Sequence, residues 1–86
     1  PEQVNIERKN VKRLIDLRRG ESGTLLFIAG GRGSCRRLAH MGLTQGTKIT
    51  VHRDSSHMGP LEIRIRFSSL AIGRGLAEKI FVRVLR

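Results

Sequence analysis

Four side chains of this sequence are of the types that hold transition metals or act as nucleophiles: Cys35, His40, His52 and His57. Metal sites need spacings that let ligands converge, such as CxxC, HxxxH or HExxH, and none occurs here. Cys35 and His40 are five apart on a predicted helix. At ~100° per residue they point about 140° apart and do not share an ion. His52 lies on the outward face of a predicted strand and His57 in the loop that follows. Those two can meet, with Asp54 between them, and would then hold Fe(II) or Zn(II) weakly. The competing reading is of isolated surface imidazoles and a core thiol. No required cofactor is implied.

Catalysis finds little to work with. The carboxylates are scattered, and no Ser–His or Cys–His pair stands at a telling spacing. A domain this small lacks room for a deep cleft. The expectation is a protein that is not an enzyme. The run Gly30-Gly31-Arg32-Gly33 ahead of a helix suggests an anion cradle built from backbone N–H groups. GxxxxGK[ST] is not met, and GxGxxG fails because Arg36 stands where the third glycine belongs. What remains is a sharp strand-to-helix turn that displays Arg32, Arg36 and Arg37, either as a partner-binding face or as a solvated charged surface. Met58, between His57 and Gly59, is a further candidate for an exposed apolar contact.

Seventeen Lys and Arg against seven Asp and Glu give a formal net charge of +10 over 86 residues. Such a chain is drawn to nucleic acid, anionic headgroups or an acidic protein face. Most of the cations are Arg, which suits bidentate contacts to carboxylate or phosphate. Aromatic side chains are Phe27, Phe67 and Phe81, with no Tyr or Trp. That disfavours base-stacking platforms and grooves for proline-rich peptides. A single cysteine allows no internal disulfide and fits a reducing compartment. No apolar run approaches the ~20 residues that span a bilayer. No secretory segment opens the chain, although a start at Pro1 leaves processing open. A cytoplasmic protein is expected.

The length suits one small domain, with residues 1–10 as an extension or edge strand and 11–86 as the folded unit. Within Asn10–Gly20, a 3₁₀ or α turn tucks Leu14 and Leu17 inward, and Gly20–Gly23 makes the next turn. Thr24–Ala29 is apolar in both phases and reads as a central strand covered on both sides. Ser34–Met41 reads as a helix capped by Gly33 or Ser34. It packs Leu38 and Met41 inward, and Gly42 stops it. Thr47–Arg53 alternates, with Ile49 and Val51 inward. Leu61–Phe67 alternates too, with Leu61, Ile63, Ile65 and Phe67 inward. Ser68-Ser69 reads as a tight turn before a strand through Leu70 and Ile72. Gly73–Lys79 holds at most one helical turn, and Ile80, Val82 and Val84 mark the last strand. The fold class is mainly β: a small barrel of about five short antiparallel strands with one or two short helices.

The segments GESGTLLFIAGGRG, RRLAHMGLTQGTKITV, GPLEIRI and LAEKIFVRV resemble the FeoA family, the small cytoplasmic component of bacterial ferrous iron uptake. The resemblance spans roughly Leu14 to Leu85. Its most specific part is the pattern basic–Leu–x–x–(Leu/Met)–Gly–Leu–x–x–Gly, carried by Arg37, Leu38, Met41, Gly42, Leu43 and Gly46. The same module is similar to the C-terminal domain of DtxR-type iron-dependent repressors, and both imply an SH3-like barrel. The resemblance implies an accessory or regulatory protein for the membrane permease FeoB, which carries a cytoplasmic GTP-binding domain. Transition-metal binding is also described for the family. Gly73 and Gly75 depart from it, standing where relatives carry Arg, Lys or Glu.

Three functions follow as expectations. The first is an interaction module, monomeric or weakly self-associating, that binds the cytoplasmic side of a FeoB-like permease. A basic domain suits such a partner at the anionic inner face of a membrane. The second is nucleic-acid binding through charge, against which the lack of stacking side chains counts. The third is a detached metal-sensing domain of an iron-dependent regulator.

Overall fold

The computed structural model describes residues 10–85. Residues 1–9, most of the expected N-terminal extension, lie outside the described residues. The elements in order are β1 (Val11–Arg13), a 3₁₀ turn (Leu14–Asp16), β2 (Ser22–Ile28), α1 (Arg32–His40), β3 (Lys48–Arg53), β4 (Leu61–Ile65), β5 (Ser68–Ile72), α2 (Arg74–Ala77) and β6 (Ile80–Val84). All strand pairs are antiparallel, in the order β1-β6-β2-β3-β4-β5. The last strand therefore returns between the first two. The sixth strand is Val11–Arg13, which adds to the edge of β6 with Val11 opposite Arg83 and Arg13 opposite Phe81. A three-residue strand with one apolar side chain carries no period of its own, so only its partner defines it.

The core is built as the alternation demands. Ile49 and Val51 of β3, Leu61, Ile63 and Ile65 of β4, and Val82 and Val84 of β6 are buried, while their sequence neighbours are not. Leu14 and Leu17 close one end from the 3₁₀ turn. Among the described residues no polar or charged side chain is buried, so the core is wholly apolar.

Three expectations need correction, each for a non-local reason. First, β2 is central but not covered on both sides. Its register to β6 shifts between Leu25 and Phe27. This bulge inserts Leu26 and reverses the phase of the strand. Gly23 and Leu25 face the core before it. After it, Phe27 turns outward and Ile28 pairs with buried Ile80. The apolar run is a strand that switches face, and Phe27 stays 54% exposed, stacked on Phe81 at 4.7 Å.

Second, β4 ends at Ile65. Ile65 pairs with Ser68, so Arg66 and Phe67 form the hairpin turn and Ser68-Ser69 belong to β5. Phe67 sits at the tip, 89% exposed, rather than in the core. Two-residue hairpins favour primed turns with φ > 0, usually built on Gly, Asn or Asp. Arg66 and Phe67 both keep negative φ, so nothing in the local sequence announces the turn.

Third, Gly23 is not part of the turn after Gly20. It lies inside β2, opposite Ile49 on one side and Val84 on the other. The turn itself uses Gly20 at φ +90°.

Candidate functional site

α1 and the corner after it are the most individual part of the structure. The helix starts two residues earlier than the sequence pattern suggested. Gly31, in extended conformation, is its N-cap, and no side chain caps it. Gly33 and Ser34 therefore lie inside the first turn. Leu38 is the buried residue of the helix. Its carbonyl accepts the N–H of Leu43 at 2.9 Å, and the Ala39 carbonyl accepts the N–H of Gly42 at 3.0 Å. This reversal requires Gly42 at φ +94°, a conformation that strains any residue with a Cβ. Leu43 then enters the core. The Gly46 N–H reaches the Leu25 carbonyl at 2.8 Å, and the Leu25 N–H reaches the Thr47 carbonyl at 2.9 Å. The 37–46 pattern is thus a hydrogen-bonded corner, closed by Leu38 and Leu43 and tied to β2 through Gly46 and the adjoining Thr47. Met41, expected to pack inward, caps the helix and is 39% exposed.

Arg32, Arg36 and Arg37 are all exposed. Arg32 and Arg36, four apart, share one helical face; Arg37 and Met41, also four apart, share the next. Among the described residues the one ion pair is Arg13 with Asp16, at 3.1 Å, away from this helix. Cys35 is half-buried, its Sγ donating to the Ile28 carbonyl at 3.7 Å.

Met58 is 98% exposed, in the loop between β3 and β4. That loop also holds Asp54 and His57. The Asp54 carboxylate accepts the Arg19 N–H at 2.9 Å and the Ser56 N–H at 3.0 Å. Arg74 donates to the Ser55 carbonyl at 2.7 Å and to the His57 carbonyl at 3.0 Å. Asp54 and Arg74 therefore organise the loop. Both Asp54 oxygens are engaged, and among the described residues no three His, Cys, Asp or Glu side chains gather to hold an ion. His52 and His57 are both exposed.

The Asp54 carboxyl is held at about 2, below its usual 3.8, by the Ser56 hydroxyl and then by the Arg19 and Ser56 N–H groups. Its folded-state pKa lies below the unfolded one. The stability it contributes is present above the unfolded value and lost as pH falls through about 2. Asp54→Ala is therefore expected to lower the melting temperature at neutral pH. Its deficit against the parent should shrink as pH drops from 5 toward 2, read by circular dichroism melts at each pH.

A second feature depends on Phe67 standing outward at the hairpin tip, against the alternation of β4. The 41–48 corner and the β4–β5 hairpin enclose an open groove of about 840 Å³. Lys48, Thr50, Arg64 and Arg66 line it, and Met41 and Phe67 stand on its rim.

The FeoA domain model matches residues 12–84. The chain belongs to the FeoA family. A relative from Methanocaldococcus jannaschii, provisionally named Fe(2+) transport protein A, is 43% identical over 63 residues, covering 73% of this chain and 74% of its own. The crystal structure of an iron uptake regulatory protein, FeoA, superposes with a TM-score of 0.79 at 39% identity, covering 87% of this chain and 99% of that one. Two more distant structures share the fold. One is a zinc-complexed FeoA from Stenotrophomonas maltophilia, described as a prokaryotic SH3-domain protein (TM-score 0.72, 19% identity, 85% and 94% coverage). The other is a manganese-dependent transcriptional repressor (TM-score 0.79, 22% identity), of which the match covers 42%. The SH3-like fold of the FeoA family is therefore the fold of this chain. The family is one of ferrous iron transport.

Proposed function

We propose that this FeoA-family chain is a non-enzymatic accessory protein of ferrous iron uptake, which acts by binding the cytoplasmic part of a FeoB-type permease. Family membership over residues 12–84 carries the reading. The exposed Arg32, Arg36 and Arg37, with no carboxylate paired to them among the described residues, supply a means of attraction to an acidic partner face. The net charge of +10 also favours residence near an anionic inner leaflet, where such a permease would be met. No described helix is long and apolar enough to cross a membrane.

Pull-down of a permease's soluble cytoplasmic domain by the tagged chain tests the proposal. Capture at low salt and its loss at high salt are expected. Arg36→Glu with Arg37→Glu should weaken capture by about tenfold or more while leaving the melt nearly unchanged, because exposed side chains away from packing contribute little to stability. No capture at low salt, with no iron-uptake defect on deletion, overturns it.

A further inference from the structure

The groove between the 41–48 corner and the β4–β5 hairpin combines two features that solvent alone does not explain. Its rim exposes Phe67 almost fully and Met41 substantially. Its lining carries Lys48, Arg64 and Arg66 and no Asp or Glu, and among the described residues none of the three has an ion-pair partner. Arg64 and Thr50 are opposed across β4 and β3 and Lys48 begins β3, so two of the three cations belong to the sheet, and Arg66 stands in the hairpin turn. β3 and β4 are paired on both sides, so a ligand here is read by side chains and not by strand addition. An exposed aromatic beside unpaired guanidinium groups suits a ligand with one apolar side chain flanked by carboxylates.

We propose that this groove binds an acidic segment of a partner protein, with one apolar side chain seated between Met41 and Phe67 and its carboxylates on Lys48, Arg64 and Arg66. Assigning that segment to a permease rests on the function proposed above; the chemistry of the groove does not. Charge and shape favour this occupant over others. A second copy of so basic a chain would bring like charges together. A bilayer would meet the protruding tips, but the other exposed apolar tip, Met58, lies beyond the opposite end of β4. Five strand residues separate the two ends by roughly 17 Å, so one tip enters a membrane without the other. Single-stranded nucleic acid wants adjacent stacking rings, and Phe67 stands alone at the groove while Phe27 and Phe81 stack on each other.

The test is titration of the isotope-labelled chain with a blocked peptide holding one leucine between runs of aspartate. Three controls run beside it: the same peptide with alanine for leucine, vesicles of phosphatidylglycerol and phosphatidylcholine, and an oligouridylate. Amide shifts confined to 41–50 and 64–68 are expected, with affinity reduced about tenfold by alanine in the peptide, by Phe67→Ser, and by Arg64→Glu with Arg66→Glu. The variants change exposed side chains, and unchanged melts show that they remain folded. Shifts elsewhere, equal binding of the alanine peptide, or tighter binding of vesicles or oligouridylate at these residues each overturn the proposal. Peptide binding at the groove without permease capture overturns the permease assignment alone. Permease capture that survives Phe67→Ser and the Arg64→Glu, Arg66→Glu double variant overturns the assignment of the groove's ligand to a permease while leaving the permease reading intact.

Discussion

Leu38→Asp is expected to abolish folding. Leu38 is the buried residue of α1, 2% exposed, and joins the main core cluster. Truncation to alanine alone typically costs about 2–5 kcal/mol. A carboxylate at that site finds no cation in the apolar core and must be desolvated or protonated, which adds several kcal/mol more. A domain of this size is stable by roughly 5–10 kcal/mol. The substitution therefore removes most or all of the margin. Loss of dispersed amide signals in a proton–nitrogen spectrum and of a cooperative melt is the expected result. A protein that still melts cooperatively, with exposure limited to the 32–46 amides, would show that α1 and its corner are an appendage of a self-sufficient sheet. The Arg36→Glu, Arg37→Glu double variant is the matched control, because it alters the same helix on its solvated side.

Gly23→Val should be nearly as damaging, and for a reason that opposes local propensity. Valine is a strong strand former and Gly23 lies within β2. By propensity alone the change would stabilise. The packed sheet leaves no space for it. A Cβ at position 23 would sit 3.0 Å from the Arg83 carbonyl oxygen and 3.0 Å from Val82 Cγ2. The carbonyl belongs to β6, which is held between β1 and β2, so it cannot yield without breaking the ladder. Overpacking of this kind costs typically about 1–3 kcal/mol for small intrusions, and the further methyl groups of valine extend the clash. Gly23→Ala should fall within that range and Gly23→Val above it, read as successive drops in the urea midpoint. An unchanged midpoint for the valine variant would mean that β6 stands off from β2 in solution.

How far the chain could be read in advance depended on how local each signal was. The alternation in β3 and β4 states which side chains face inward, because a strand half-buried against one core repeats every two residues. The helix and its corner were legible in part: the Leu38–Leu43 reversal and Gly42 at positive φ depend on neighbours only a few positions away, whereas the exact helix start, the outward Met41 and the bond from Gly46 to Leu25 do not show in the pattern. Family membership, which the domain match over residues 12–84 shows, was expected from a resemblance most specific in this stretch. Phe67 shows where that kind of reading stops. It continues the alternation of β4 without fault, yet the hairpin turns at Arg66-Phe67 with no turn-forming residue to mark it. A period-2 pattern specifies phase but not where a strand ends.

The corner, the basic helix and the inward faces of β3 and β4 were thus determined by the sequence itself, because helix periodicity, strand alternation and glycine dihedrals act within one element. The bulge at Leu26, the tight seat of Gly23 against β6, the return of β6 between β1 and β2, and the loop held by Asp54 and Arg74 were decided only by tertiary structure. Each depends on a partner strand or backbone group far along the chain. The groove is of that second kind. Met41 and Phe67 are 26 positions apart in the sequence and line one groove only because β3 pairs with β4 and β4 turns back at Arg66. The glycine run that first suggested a phosphate cradle is a structural lead into α1. The groove proposed for an acidic partner segment lies at the helix's other end, where Met41 leaves the helix and lines the same groove as the hairpin.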